Sequence, residues 1–232
     1  MTFPKQVSHQ ISHVLRLKEG DQVAVLDNSG MIYIVTIEGG IGDADLMGHI
    51  VSVDPALSEP QVQLALFFGL TSREKVEWIL QKGTEVGVSV FCPFISSRTL
   101  VNSPSLSKNK LERWARIIQE AAEQSGRGKL PGLYPPANLI DAIHKAQNNY
   151  DLCLLAWEGI RDDGFRLEDL KTNFNGETIA LFVGPEGGFS EEEVAAAQEA
   201  GCRVVTLGAR TLRTETAAIV FPALVLHELG AL

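Results

Sequence analysis

The sequence predicts an α/β protein in two parts, a small all-β N-terminal part followed by a larger layer whose sheet is largely parallel. Three observations carry that reading. Short β-like runs recur at turn spacing between Asp21 and Asp54. From Gln61 onward, strand-like runs alternate with helical stretches, the pattern of an α/β layer. Val62–Phe68 and Thr178–Val183 are apolar almost throughout, as strands covered on both faces require.

The first part holds β-like runs at Val23–Leu26, Met31–Ile37 and Met47–Val53, broken by DNSG and EGGIGDAD, which suggests a small β-barrel or sheet. VDPALSEP at 53–60, with two prolines, reads as a linker, which divides the chain into residues 1–58 and 61–232. After the strand Val62–Phe68, Thr71 with Glu74 three residues on predicts a capping box ahead of REKVEWILQKGTEVG. Val76, Ile79, Leu80 and Gly83 share one side of that helix. Val88–Phe94 follows as a strand, Leu111–Ala122 as an amphipathic helix, then the glycine-rich SGRGKLPG and a helix at Leu139–Lys145. Strands are expected at Leu152–Ala156, Thr178–Val183 and Arg203–Leu207, with Ser190 and Glu193 as a capping box for the helix between the last two. Thr214, Glu215 and Thr216 offer caps to the last helix, whose TETAAIVFPALVLHELGAL is too apolar for a free surface and suits either core packing or a dimer interface.

At 232 residues and 45% hydrophobic content, the chain can bury a sizeable core, and no apolar run reaches the roughly 18 residues of a membrane span. MTFPKQVSHQ lacks a signal-peptide pattern, and Cys92, Cys153 and Cys202 lie far apart, so a reducing cytoplasm is expected. The net charge of -9 argues against indiscriminate nucleic-acid binding. That charge is uneven: residues 95–130 carry seven basic against three acidic residues and residues 1–20 three against one, leaving -15 for the remainder. Such asymmetry suits contact with a polyanion over a limited face, or simply a solvated surface.

Several chemistries find no support. No GK[ST] follows a glycine loop, and in GRGKLP Pro131 stands where a dinucleotide fingerprint has its third glycine. HExxH, CxxC and GxSxG are absent, so neither a metal site nor a serine nucleophile is expected, and the five scattered histidines are assigned no chemistry.

What remains is a set of three loops at the carboxyl ends of expected strands: LLAWEG at 154–159, VGPEGG at 183–188 and LGARTLRTETA at 207–217. Open α/β sheets bind ligands in the crevice there, and glycines let backbone groups approach a ligand closely. Helix N-termini nearby present free N–H groups that suit an anion. A small nucleoside-like ligand fits that description.

The blocks VEWILQKGTEVGVSVFCPFISSRT, EAAEQSGRGKLP, LFVGPEGGFSEEEV and LGARTLRTETAAI, in this order and spacing, resemble the RsmE family, bacterial SPOUT-superfamily methyltransferases acting on N3 of a uridine in 16S ribosomal RNA. The resemblance covers nearly the whole chain, with HVLRLKEGDQVAVLDNSG similar to the family's first domain. It implies a PUA-like RNA-binding β-barrel at 1–58 and a SPOUT methyltransferase domain with a trefoil knot at 61–232. Only MTFPKQVSHQIS precedes HVLRLK where the family has a basic and aromatic strand, so a barrel either shortened at its N-terminus or rebuilt there is expected. The resemblance further implies S-adenosylmethionine as cofactor, a homodimer through the C-terminal helix, and 16S ribosomal RNA or the assembled small subunit as partner, with neither a metal nor a membrane.

Carried across by position, the cofactor pocket would comprise Leu155, Ala156 and Glu158; Val183, Gly184, Pro185, Glu186, Gly187 and Gly188; Leu207, Gly208 and Leu212; and Arg213, Thr214, Thr216 and Ala217. Methyl transfer from a sulfonium needs alignment, and a uracil N3 that has lost its proton, with charge spreading onto O2 and O4. An arginine beside those oxygens would stabilise the anion as an oxyanion hole does, and Arg127 and Arg213 are the candidates. Each has a plainer role open to it: Arg127 to contact phosphate, Arg213 to pair with Glu215 or Glu186. Glu215 as proton acceptor competes with its role in stabilising a helix start. Lys5, Arg16, Lys18, Arg98, Arg127 and Lys129 are the expected RNA contacts, to a base that is unpaired or flipped. A non-catalytic RNA-binding module and a dinucleotide oxidoreductase are the competing readings.

Overall fold

The computed structural model describes residues 1–39, 46–100, 107–159 and 165–232. The expectations that fall on 40–45, 101–106 and 160–164, including most of EGGIGDAD and residues 101–106 of the basic 95–130 segment, lie outside them. The chain forms two compact units, residues 1–59 with 126–129, and residues 60–125 with 130–232.

In the smaller unit, α1 (Lys5–His9) runs into a π-helical turn at Gln10–Val14, and β1 (Gln22–Leu26), β2 (Met31–Gly39) and β3 (Met47–Pro55) form an antiparallel sheet in that order. β3 continues through Pro55, the first proline of the expected linker, which pairs with Met31. Thr2 bridges Met47 beside the sheet. Phe3, Ile11, Val35, Ile37 and Leu46 make the core. Residues 126–129 belong here because the Gly30 amide donates to the Gly128 carbonyl at 3.1 Å and the Ser58 hydroxyl to that of Gly126 at 2.6 Å.

The larger unit runs β4 (Gln63–Gly69), α2 (Arg73–Val86), β5 (Val90–Ile95), α3 (Lys108–Ser125), β6 (Gly132–Leu133), β7 (Ala137–Asn138), α4 (Leu139–Asn149), β8 (Leu152–Ala156), a 3-10 turn at Leu167–Asp169, α5 (Leu170–Asn173), β9 (Thr178–Val183), α6 (Glu191–Glu199), β10 (Arg203–Val205) and α7 (Thr214–Glu228). Among the described residues the strands form one parallel sheet in the order β10-β8-β9-β4-β5-β6, with β7 also on β5.

Both faces of this sheet are covered, which explains the unbroken apolar runs. Leu64, Leu66 and Phe68 of β4 and Ile179, Leu181 and Val183 of β9 pack with Trp114 of α3 and Phe221 of α7. The alternating Ala65, Phe67, Ala180 and Phe182 pack on the other face with Ile143 of α4 and Val194 of α6. The two sets are one strand's opposite faces.

Two helix starts differ from expectation. The cap of α2 is Ser72 with no side-chain hydrogen bond, so the Thr71–Glu74 capping box does not form. Thr71 is buried, and with Ser72 as cap the third helical position, where a box needs a carboxylate, is Lys75. The cap of α7 is Arg213, with Thr214 as first helical residue and no side-chain cap, in place of the capping expected from Thr214–Thr216. The Ser190–Glu193 box forms in full.

Candidate active site

β9, β8 and β10 are neighbours in the sheet, so the loops leaving their carboxyl ends converge. They enclose a cavity of about 310 Å³. Its walls are Ala156, Trp157 and Glu158 after β8; Val183, Gly184, Pro185, Glu186, Gly188 and Phe189 after β9; and Thr206–Gly208 and Arg210–Arg213 after β10. Thr214 and Ala217 of α7 and Lys75 of α2 complete it.

The β9 loop folds back on itself, with the Gly188 amide donating to the Pro185 carbonyl at 2.8 Å. Gly188 has φ +67°, which a side chain disfavours, and a Cβ there would stand 3.1 Å from Glu158 Oε1, across the cavity rim. Arg98 fastens the outer side of the loop, donating to the carbonyls of Gly187 at 3.2 Å and Phe189 at 3.1 Å. Ser97 donates its amide to Glu193 Oε1 at 2.8 Å, so the end of β5 is tied to the start of α6. Beneath the loop, Gly69 lets Pro185 sit directly on the end of β4: a Cβ at Gly69 would be 2.4 Å from Pro185 N.

Lys75 Nζ lies 2.9 Å from Glu186 Oε1 and 3.4 Å from Glu215 Oε2. The Thr71 hydroxyl comes first and the Lys75 ammonium next in holding the Glu186 carboxyl below its ordinary pKa, although no hydrogen bond of regular geometry joins Thr71 to it. The Glu186 hydrogen bond raises the Lys75 pKa in turn. Glu215 Oε2, buried, touches the ammonium without accepting a hydrogen bond. Both carboxylates expected as partners for Arg213 are thus engaged by Lys75, and Arg213 is exposed at the cavity wall with no ion pair among the described residues.

Most of the expected pocket residues line this cavity. Leu155 does not: it is fully buried on the α4–α6 face, opposite in pleat to Ala156. Gly187 faces Arg98, whose Cβ would stand 2.9 Å from a Cβ placed on Gly187, and Thr216 is exposed. Trp157, Arg210 and Thr211, inside the expected loop walls at 155–158 and 207–212, also line it, as do Lys75, Phe189 and Thr206, which sequence reasoning does not single out, Lys75 from a distant helix.

Arg127 lies in the smaller unit, 4% exposed, its guanidinium on Glu59 at 2.9 and 3.2 Å. The Lys129 amide also donates to Glu59, at 3.1 Å; burial raises the Glu59 carboxyl, but the Arg127 hydrogen bond and charge with the Lys129 and Gly128 amides together bring it below its ordinary value. Lys5, Arg16, Lys18 and Lys129 are exposed. Among the described residues, no group of three or more His, Cys, Asp and Glu side chains is placed to hold a metal ion, and no helix is long and apolar enough to cross a membrane.

The cavity fits a nucleoside-sized group joined to a charged tail. Its volume is at the small end of ligand sites, about 300–1,000 Å³, and Ala156, Trp157, Val183, Leu207, Leu212 and Ala217 supply apolar walls. A Cβ at Gly184 would stand 3.2 Å from the Gly188 carbonyl carbon, so the two ends of the loop are in close contact there.

Residues 58–226 match the RNA methyltransferase domain family. Ribosomal RNA small subunit methyltransferase E of Bacillus subtilis (strain 168) is 31% identical over 213 residues, 90% of this chain and 82% of that protein. The enzyme of the same name from Synechocystis sp. (strain ATCC 27184 / PCC 6803 / Kazusa) is 34% identical over 225 residues, 97% of this chain and 70% of that protein. The crystal structure of a ribosomal RNA small subunit methyltransferase E from Neisseria gonorrhoeae bound to S-adenosyl methionine superposes with a TM-score of 0.84 at 28% identity, over 98% of this chain and 91% of that one. The small antiparallel sheet and large parallel sheet are those of a PUA-like and a SPOUT methyltransferase part. The chain belongs to the family of the ribosomal RNA small subunit methyltransferases E.

Proposed function

We propose that this protein methylates N3 of a uridine in 16S ribosomal RNA with S-adenosylmethionine as donor. The observation that carries the reading is the glycine-walled cavity at the carboxyl ends of three neighbouring parallel strands. Bound there, S-adenosylmethionine would supply an electrophilic methyl group on a sulfonium. Trp157, Leu207 and Leu212 suit the adenosine, and the start of α7 with Arg210 suits the donor's carboxylate end. Glu158 supplies a carboxylate at the wall that favours a cation, while Glu186 is paired with Lys75.

The protein's other task is to make N3 nucleophilic. Arg213, exposed at the wall and unpaired among the described residues, is the group we assign to stabilise negative charge on O2 and O4 as the N3 proton leaves. Arg127 remains a second candidate for that charge, or for a phosphate, once RNA competes with Glu59 for its guanidinium. Lys5, Arg16, Lys18 and Lys129 of the smaller unit and Arg98 of the larger one are proposed phosphate contacts.

A homodimer through α7 belongs to this reading. Ala218, Phe221, Val225 and Leu226 of α7 are buried in their own chain, while Ile219, Val220 and Ala223 are half-buried and Leu224 is exposed, an apolar face left for a second copy. On the family resemblance we also propose the trefoil knot, the assembled small subunit as substrate and a cytoplasmic location. Titration calorimetry with S-adenosylmethionine, and mapping of N3-methyluridine in small-subunit RNA treated with the enzyme, test the assignment. Binding and a single new N3-methyluridine are expected, with Arg213→Ala lowering the rate about 10²-fold or more. Absence of donor binding, or methylation at another atom, overturns the reading.

A further inference from the structure

We infer that Lys75 is a positioning residue for the cavity: its ammonium clamps the loop after β9 to the start of α7 through Glu186 and Glu215. The inference rests on the donor-site reading above and adds a residue to it.

The geometry brings together three separate elements. Lys75 is the third residue of α2, Glu186 sits midway along the β9–α6 loop, and Glu215 is the second residue of α7. The ammonium touches both carboxylates at 2.9 and 3.4 Å, so the two carboxylate oxygens are no further apart than the sum of those distances. Without the cation, two like charges would face each other across the join between two cavity walls. The side chains are only 28%, 29% and 15% exposed for Lys75, Glu186 and Glu215, so water screens them in part. Removing the ammonium would drive the β9 loop, with Gly184 and Gly188, away from the α7 start that carries Arg213 and Thr214.

Local helix chemistry argues against Lys75 as well, which points to a role beyond α2. A cation in the first turn opposes the helix dipole, and the third position is where Glu would complete a capping box. The Ser72 cap has no side-chain hydrogen bond, so α2 forgoes that stabilisation while keeping Lys75. A residue that breaks the local rule and joins two walls of a cavity owes its place to the cavity.

Calorimetry with S-adenosylmethionine, with melting temperatures measured alongside, tests this. Lys75→Met should weaken the donor Kd about tenfold or more, while Lys75→Arg, which keeps the charge, stays within about threefold. Lys82→Met, which breaks the Lys82–Glu85 pair on the same helix, should leave the Kd unchanged. In steady-state methylation, the Lys75→Met loss should fall on the donor KM more than on kcat. A Lys75→Met protein that binds within about twofold of the parent, or an arginine variant as weak as the methionine one, overturns the clamp. Should Lys75→Met not fold, Glu215→Gln decides: an unchanged Kd overturns it and a weakening of about threefold or more supports it. If the unaltered protein itself binds no S-adenosylmethionine, the donor-site reading fails, and this inference fails with it.

Discussion

Gly69→Ala is the most direct perturbation of the cavity that substitutes no lining residue. A Cβ at Gly69 would stand 2.4 Å from Pro185 N, 2.5 Å from its Cδ and 2.8 Å from its Cα. Carbon and nitrogen atoms at rest stay about 3.5 Å apart, so Pro185 would have to retreat by about 1 Å. Neither side yields easily, because Gly69 ends a central strand and Pro185 is buried. Overpacking of this kind costs about 1–3 kcal/mol, which at about 2–4 °C per kcal/mol for a chain of this length lowers the melting temperature by several degrees. The displaced loop carries Gly184 and Gly188, and a misplacement of about 1 Å at a reacting site can cost about 10²-fold in rate. Thermal melts, donor calorimetry and methylation of small-subunit RNA would measure the three effects together. Gly132→Ala, where the nearest atoms stand at 3.7 Å, is the control and should match the parent. A Gly69→Ala protein that melts, binds and turns over like the parent would show that Pro185 is not held by β4, and the loop argument would fail.

Glu77 provides a pH test on a neighbouring face. Hydrogen bonds from Arg113 first, then Arg73, bring its carboxyl from 4.5 down to about 2. Its folded value lies below its unfolded one, so the stabilisation is fully present above about 4.5 and disappears as pH falls through about 2. Glu77→Gln should therefore melt below the parent at neutral pH by less than about 1 kcal/mol, and the gap should close in acid; a gap that persists at the acid end contradicts the ion-pair account. Ser190→Ala removes the hydroxyl that accepts the Glu193 amide at 3.2 Å, and should cost about 1 kcal/mol with a matching fall in melting temperature, whereas an unaltered melt would mean that Glu193, bonded to the Ser97 and Ser190 amides, holds the turn unaided.

Strands covered on both faces are the part of this fold most plainly written in the chain. Leu152–Ala156 and Thr178–Val183 are observed with the bounds read from the sequence, since an apolar run ended by turn residues leaves little room for another boundary. KQVSHQISHV carries no such signal for α1 and its π-helical turn, because Ile11 alone of the described side chains there is fully buried. β6 and β7, two residues each in a proline-rich stretch, exist by pairing with β5, which no local pattern records. The return of residues 126–129 to the smaller unit is of the same kind: the Gly30–Gly128 hydrogen bond joins residues far apart in sequence. At α2 two adjacent hydroxyl residues compete for the cap, and burial of Thr71 decides for Ser72.

The candidate site divides along the same line. Its loops are legible because glycine, proline and helix-cap residues clustered at strand ends mark backbone left open to a ligand, and they do line the cavity. Leu155 could have been set aside on the strand's alternation alone, since successive residues face opposite ways and Ala156 faces the cavity. Gly69 and Lys75 have no such local mark. One acts by having no side chain under Pro185, the other by reaching from α2 to Glu186 and Glu215, and each signal is a distance between elements. The atoms that would touch a donor are thus announced by local composition, whereas the atoms that hold them in place are visible only once the sheet is packed. A variant that spares every lining loop and still loses the donor would come from that second group, which makes Gly69 and Lys75 sharper probes of the cavity than its glycines.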